Sequence, residues 1–395
     1  MLHLIAILLA TSGIGAASPV CDPGAATVGE AGGDACALAW MDRNLGMNDL
    51  VAVGTHNSYK LAIPDAELEA MVEVNPGAVG LDYGHRPLAE QLDAGARQIE
   101  IDVLNDPEGG RYAHPLSALA RAGAGAARVS PAFALAMAQP GFKTLHMPDV
   151  DFRSSCPTFI DCLTEISVWS RAHPDHAPIL IMLNAKTGQP SAPGGVRPLD
   201  FDTAAWDALD AEIRSVFDRH HLITPDQVRA SHATLGEAVL AGGWPTLGAA
   251  RGKVFFALDE GPEKVASYRG DRRSLEGRVL FVNTDEASPA AAYLTLNDPV
   301  GERDRIRAAV EAGFIVRTRA DADTREARSG DVGRRSAALS SGAQFVSTDY
   351  LWPDPRYPTY AVRLTSGAAA MCNPVRAAAR CDGRALEVIP GAPTQ

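Results

Sequence analysis

The chain has 395 residues, of which 46% are hydrophobic and 21% charged, enough apolar material for one large α/β domain or two smaller ones. Its formal net charge of −12 excludes nonspecific nucleic-acid binding, which rests on basic groups neutralising phosphate, and disfavours purely electrostatic adsorption to anionic membranes. An anionic substrate must therefore be met by local cations or a metal.

The first ten residues, Met1 to Ala10, form a short apolar run, and small residues follow as far as Ser18. This pattern predicts a signal peptide over residues 1–17, cleaved near Ala17, and a secreted or periplasmic protein. The run is too short to span a bilayer. Six cysteines suit an oxidising compartment. The simplest scheme pairs Cys21 with Cys36, Cys156 with Cys162 and Cys372 with Cys381, although sequence alone leaves other pairings open. Zinc ligation is disfavoured because no Cys-x-x-Cys pair is present.

After a Gly/Ala-rich lead over residues 18–49, apolar runs predict eight strands: Leu50–Gly54, Gln98–Val103, Lys143–Leu145, Ile179–Leu183, Lys253–Leu258, Val279–Val282, Phe314–Val316 and Ala343–Ser347. Helix-like stretches lie between them. Thr158–Arg171 carries Phe159, Leu163, Ile166 and Trp169 on one face, and Phe201–His220 carries Trp206, Leu209, Ile213, Val216 and Phe217. Glu302–Ala312 and Val332–Ser341 lead into the last two strands. Alternating strands and helices imply a parallel sheet, and eight repeats imply closure into a TIM-type (β/α)8 barrel over residues 50–352. No Gly-rich strand-to-helix turn supports the rival open sheet with a dinucleotide site. Two segments exceed a minimal barrel. Asp106–Phe142, rich in Ala, Gly and Pro, reads as an inserted loop with short helices, and residues 353–395 read as a C-terminal wrap.

In such a barrel the site lies at the carboxyl ends of the strands, and polar residues accumulate there. Val51-Ala52-Val53-Gly54 runs straight into Thr55-His56-Asn57-Ser58-Tyr59-Lys60. Glu100 and Asp102 share one face of the second strand, with Ile99, Ile101 and Val103 on the other. His146 follows the third predicted strand, Asn184 and Lys186 the fourth, Asp259 and Glu260 the fifth, and Asp349 the last. Arg317 and Arg319 end the seventh. Two inward carboxylates repel each other unless compensated. A hard cation compensates both, and oxygen donors from Asn57, Glu100, Asp102 and Asn184 match calcium better than zinc. The alternative is a salt-bridged structural pair with Arg317. His56 and His146, at strand ends beside carboxylates, are placed for general acid–base work. His114 lies in the insertion, and His173 and His176 precede a strand and so belong to the opposite, stability face. Arg317 or Arg319 is a phosphate-binding candidate, because such barrels often bind phosphate near the last two strands. No Gly-x-Ser-x-Gly nucleophile elbow exists.

Together these residues resemble the catalytic barrel of the phosphatidylinositol-specific phospholipase C family, particularly its secreted, calcium-dependent microbial branch. Thr55-His56-Asn57-Ser58-Tyr59 resembles that family's Ser-His-Asn-Thr-Tyr stretch, and Ile99-Glu100-Ile101-Asp102 its Val-Glu-Leu-Asp strand. Gly141 to Cys156 looks like the segment with the second catalytic histidine, and Ile179–Lys186 like the strand with a further metal ligand. Phe314–Asp321 and Gly342–Tyr350 look like the last two strands. The resemblance implies that Asn57, Glu100 and Asp102 hold Ca2+, that His56 or one of the carboxylates Glu100 and Asp102 takes the 2-hydroxyl proton, that His56 is the acid for the leaving oxygen, and that His146 stabilises pentacoordinate phosphorus. It departs at Asn184, where the family usually has glutamate. An amide oxygen can still ligate calcium, but one lost charge weakens the site, and Asp149 or Asp151 could compensate.

The implied reaction is attack of the inositol 2-hydroxyl on phosphorus, giving diacylglycerol and inositol cyclic phosphate, with Lys186, Arg317 and Arg319 near the phosphate. A phosphoinositide or related phosphodiester is the expected partner, together with transient membrane contact through loops such as Asp106–Phe142. Neither nucleic acid nor a protein partner is predicted. Two alternatives stand beside this reading. One is a glycerophosphodiester phosphodiesterase, whose first strand normally ends in a His-Arg pair absent here. The other is a catalytically silent barrel acting as a ligand-binding module, motivated by Asn184.

Overall fold

The computed structural model describes residues 21–22, 24–117, 129–381 and 383–391. The predicted signal peptide lies outside these residues. Ten strands form one sheet: β1 Leu50–Thr55, β2 Gln98–Val103, β3 Ile179–Ala185, β4 Val254–Leu258, β5 Leu280–Val282, β6 Tyr293–Thr295, β7 Ile315–Arg319, β8 Phe345–Thr348, β9 Ala368–Cys372 and β10 Ala385–Val388. The first eight run parallel in the order β5-β4-β3-β2-β1-β8-β7-β6. They make the predicted TIM-type barrel, nearly closed, with an unsealed seam between β5 and β6. A single parallel bridge, Asn283 to Tyr293, spans that seam, and the Asn283 side chain accepts the Thr295 amide at 2.9 Å.

Seven of the eight predicted strands coincide with barrel strands; Lys143–Leu145 does not. It makes only isolated antiparallel bridges, Lys143 to Leu104 and to Thr158. Its flanking residues pack in opposite directions. Phe142 joins the main core beside Phe159 and Phe201. Leu145 joins a separate cluster of Leu104, Tyr112, Phe133, Met137 and Phe152 under the insertion. Lys143 is buried because its ammonium group caps the carbonyls of Gln139 and Gly141, at 2.6 and 2.9 Å. The barrel strand that sequence reading misses is β6. Three residues, Tyr293-Leu294-Thr295, are too few for a period to show, yet the Tyr293 hydroxyl reaches the Met182 sulfur at 3.0 Å.

The strands are buried on both faces, as a parallel sheet wrapped by helices requires. Register fixes what fills the interior. Glu100 pairs with Met182 and Asp102 with Asn184, Arg317 with Phe345 and Arg319 with Ser347, and Ser347 with Gly54. Because side chains alternate, all of these point inward. Phe255 packs on Phe281 and Phe345 below them, at centroid distances of 6.2 and 5.7 Å. The barrel is thus an apolar plug under a polar mouth.

The helices form where their apolar spacing predicts. The helix Phe159–Ala172 starts at Thr158, whose hydroxyl accepts the Asp161 amide, and Asp202 caps Thr203–Val216 in the same way. The C-terminal segment does wrap the barrel, and it also supplies a strand. β9 lies antiparallel to β1 through Leu50, Val51 and Ala52, so β1 meets β2 only at Gly54 and Gln98. A side chain on Gly54 would collide with the Gln98 carbonyl, which is why that approach needs glycine. β10 extends this pair and places Glu387 against Arg97 at the start of β2. The cysteines pair as the simplest scheme predicts: Cys21 with Cys36, Cys156 with Cys162 and Cys372 with Cys381.

Candidate active site

The turn after β1 is latched across the mouth. The His56 amide donates to Thr348 of β8 at 3.1 Å, and the Ser58 amide donates to the Glu100 carbonyl of β2 at 2.9 Å. Between them Asn57 has φ +47°, a left-handed conformation that asparagine tolerates better than most residues. This kink leaves both His56 and Asn57 facing the opening.

His56 is held by charge. Its Nδ1 lies 2.8 Å from Asp349 Oδ1, its Nε2 3.6 Å from Glu100 Oε1, and the Tyr83 ring stacks on it at 5.9 Å. Arg319 approaches within 3.3 Å of Nδ1 and 3.4 Å of Asp349 Oδ2. Burial, followed by the charges of Arg319, Arg317 and His146, holds the imidazole well below its ordinary pKa, so it stands neutral at pH 7 with Nε2 toward the mouth. Asp349 is buried in turn, its own amide donating to Asp321 Oδ1 at 2.8 Å. Sequence reading noted Asp349 at a strand end without giving it a role. No local pattern links it to a histidine 293 positions away.

His146 sits in the long connection between β2 and β3, past the Asp106–Phe142 insertion, rather than at the end of a barrel strand. Its Nδ1 lies 2.8 Å from Asp151 Oδ2, and Lys60 Nζ lies 3.4 Å from the same oxygen. The Asp151 loop is fastened to the β1 end by the Ser155 amide donating to the Tyr59 carbonyl at 2.8 Å, beside the Cys156–Cys162 disulfide. Asp151, weighed earlier as a substitute ligand, therefore orients His146. Asp149 is engaged elsewhere, accepting the Val196 amide at 2.8 Å.

The acid pair faces inward as expected, and each member is already paired. Glu100 Oε2 takes Arg317 at 2.6 Å, and Asp102 Oδ2 takes Lys186 at 2.8 Å and the Tyr59 hydroxyl at 2.7 Å. Arg317 is also committed to Asn297 at 2.6 Å. Burial pushes the Glu100 carboxyl up to about 7 in spite of Arg317, helped by Asp102. Burial works against the Lys186 ammonium, but Asp102 keeps it charged. The salt-bridged arrangement weighed against metal binding is thus present for Glu100.

Room for a cation remains on the other oxygens. Asp102 Oδ1 is buried with no hydrogen-bond partner. Asn57 donates its amide to the Tyr83 hydroxyl at 2.8 Å and Asn184 donates to Glu100 Oε1 at 3.2 Å, so their donor groups are used and their carbonyl oxygens are the groups left for a metal. An all-oxygen donor set fits calcium. Its charge does not favour tight binding: two carboxylates face two cations, and among the described residues no group of three or more His, Cys, Asp or Glu side chains is gathered as a metal cluster.

Across residues 45–374 the chain matches the model of the family described as phosphoinositide phospholipase C, Ca2+-dependent. The chain belongs to this family. It is an enzyme, a phosphodiesterase of the phosphoinositide phospholipase C type that acts on phosphatidylinositol, in a family dependent on calcium. That membership sets aside the glycerophosphodiester alternative. No curated protein matches the chain. In fold it is similar to a calcium-dependent phosphoinositol-specific phospholipase C from the Gram-negative bacterium Pseudomonas sp., with 16% identity, 84% of this chain and 96% of that one covered, and a TM-score of 0.52. It is also similar to a Ca2+-dependent phosphatidylinositol-specific phospholipase C from Streptomyces antibioticus, with 19% identity, coverage of 81% and 99%, and a TM-score of 0.49. At such identities the solved structures speak to the fold alone. Among the described residues no helix is long and apolar enough to cross a membrane.

Proposed function

We propose that this phospholipase C splits phosphatidylinositol-type lipids by intramolecular attack, with His56 and His146 as the catalytic pair. The observation that carries the reading is the His56 ring braced on Asp349 at 2.8 Å, with Nε2 beside Glu100 at 3.6 Å and Arg319 Nη1 at 3.5 Å. His56 accepts the proton of the inositol 2-hydroxyl as that oxygen bonds to phosphorus. Asp349 stabilises the imidazolium that results. When the bond from phosphorus to the glycerol oxygen breaks, His56 returns the proton to that oxygen. His146, oriented by Asp151, donates to the phosphate oxygens, and Arg319 and Lys186 offset the charge that builds there. The products are diacylglycerol and inositol cyclic phosphate.

Asn57, Glu100, Asp102 and Asn184 are the residues that would hold Ca2+. Bound there, the ion would lower the pKa of the 2-hydroxyl and neutralise phosphate charge. Three disulfides support an oxidising, extracellular or periplasmic location. The deciding experiment is a head-group release assay on phosphatidylinositol, with calcium and then with chelator. Release of cyclic phosphate that chelator suppresses is the expected result. Binding of the lipid without turnover would defeat the reading.

A further inference from the structure

Beside the catalytic mouth lies a cavity of about 740 Å³ that the chemistry of head-group recognition leaves unused. One wall comes from the helix Asp65–Val74 and the turn after it, through Met71, Val74, Ala78 and Leu81. The other wall includes Met147 and Val150. Those two residues lie within the loop from His146 to Asp151, each next to one of its ends, and Leu81 lends its carbonyl to Lys60 at 3.0 Å, the lysine that also contacts Asp151. The cavity is therefore continuous with the candidate catalytic loop. Its size is that of a small-molecule site, yet its lining is mainly methyl and thioether groups, with no arginine, lysine or histidine. It offers no cation to a phosphate, and of its few polar members Glu67 is held by Arg153, Asn75 accepts the Gly77 amide and Ser191 accepts the Asp149 amide, while Ser117 adds a single hydroxyl. Val74, at its rim, is 88% exposed.

We infer that this groove binds a fatty acyl chain of the lipid substrate, so that the enzyme recognises the diacylglycerol half directly as well as the head group. The inference rests on the reaction proposed above, in which the glycerol oxygen bonded to phosphorus leaves as part of diacylglycerol, with the acyl chains on the two neighbouring glycerol oxygens at the same mouth. A chain running from that oxygen toward Met147 enters apolar surroundings at once, and the sparse cations of the polar mouth stay with the phosphate. Each methylene withdrawn from water is worth about 0.8 kcal/mol, or roughly fourfold in binding.

The test compares kcat/KM for dihexanoyl phosphatidylinositol, kept below its aggregation limit, with that for glycerophosphoinositol, which has no acyl chains. The wild-type ratio is expected to exceed about 100-fold, from four or more methylenes buried. Ala70→Trp, at an exposed helical position lining the groove, and Met71→Glu should each cut that ratio at least tenfold, chiefly through KM. A wild-type ratio near one, or a ratio unmoved by both variants, overturns the inference. Dihexanoylglycerol binding measured by calorimetry needs no turnover. Loss of that binding in both variants supports the groove even if neither substrate is cleaved, a result that would count against the reaction alone; wild-type affinity in both removes the groove whatever the catalysis.

Discussion

The two sides of the barrel mouth are built from opposite materials. Strands β1 to β3 deliver oxygen donors: Asn57, Glu100, Asp102 and Asn184. Strand β7 delivers guanidinium groups, Arg317 and Arg319, and the β8 end adds Asp349 under His56. The donor side is what a hard cation wants; the other side already supplies positive charge. Arg317 reaches across at 2.6 Å to hold Glu100. The comparison teaches that the metal side of this site is poised by its neighbour. A calcium ion held as proposed would share Glu100 with an arginine, whereas the braces on the histidines, Asp349 and Asp151, involve no ion.

The largest effect should come from breaking the histidine brace. Asp349→Asn replaces the anion at 2.8 Å from His56 Nδ1 by a neutral amide, leaving the ring in place but its imidazolium unsupported. A fall in kcat of about 10²–10⁴-fold is expected, with KM for the lipid little changed. The calcium requirement should be the same as in the wild type. A loss that excess calcium repairs would mean that Asp349 serves the metal side instead.

Next in size is a cut across the divide. Arg317→Met leaves Glu100 buried without its partner, which costs about 3–5 kcal/mol when one member of a buried ion pair is removed. Urea unfolding in chelator reads this directly, and adding Glu100→Gln to the variant should recover most of the loss. Calcium should stabilise the single variant more than it stabilises the wild type, because Glu100 Oε2 is released for it. Equal calcium shifts in both proteins would show that the two sides do not compete.

A comparable but pH-dependent contribution to stability sits behind the histidine side. Burial and the charge of Asp349 raise Asp321 from 3.8 to about 7. In the native protein it therefore holds its proton across a range where the unfolded chain has released it. Stability contributed by this group is complete below the unfolded value and is lost as pH rises through about 7. The shift corresponds to about 4 kcal/mol at most. Asp321→Asn should flatten the fall in urea midpoint between pH 5 and pH 8, and a slope as steep as the wild type's would assign it to other groups.

What the sequence made legible follows the same divide. The donor side was readable because Glu100 and Asp102 lie two apart on an apolar strand and His56-Asn57 follow one directly, so local period and position suffice. The braces were not, since Asp349 and His56 are 293 positions apart and Asp151 acts on His146 through the folded connection between β2 and β3. Barrel closure was inferred from a correct count of eight that contained one false strand. Leu145 and the preceding Phe142 give the stretch around Lys143–Leu145 its apolar character, but they belong to two different cores, while β6 is too short to leave a period. The inserted β9 escaped notice because Ala368-Ala369-Ala370 carries little strand propensity. It forms because the lower half of β1 has no other neighbour on that side.

The smallest predicted change adds to the donor side instead of cutting it. Asn184 stands opposite Asp102 in the β2–β3 register, and its amide spends a hydrogen bond on Glu100 at 3.2 Å. Asn184→Glu gives the donor set a third carboxylate and removes that bond. With two acids set against Arg317 and Lys186, the present set has no net charge to offer; a third acid provides one. Calcium affinity, measured by titration calorimetry, should rise about tenfold or more, at least ~1.4 kcal/mol. In chelator the extra buried acid should destabilise the fold, because three carboxylates then face two cations. Tighter binding with that penalty would show that charge count limits the metal. The penalty without tighter binding would show that Arg317, and not the missing charge, keeps calcium from Glu100.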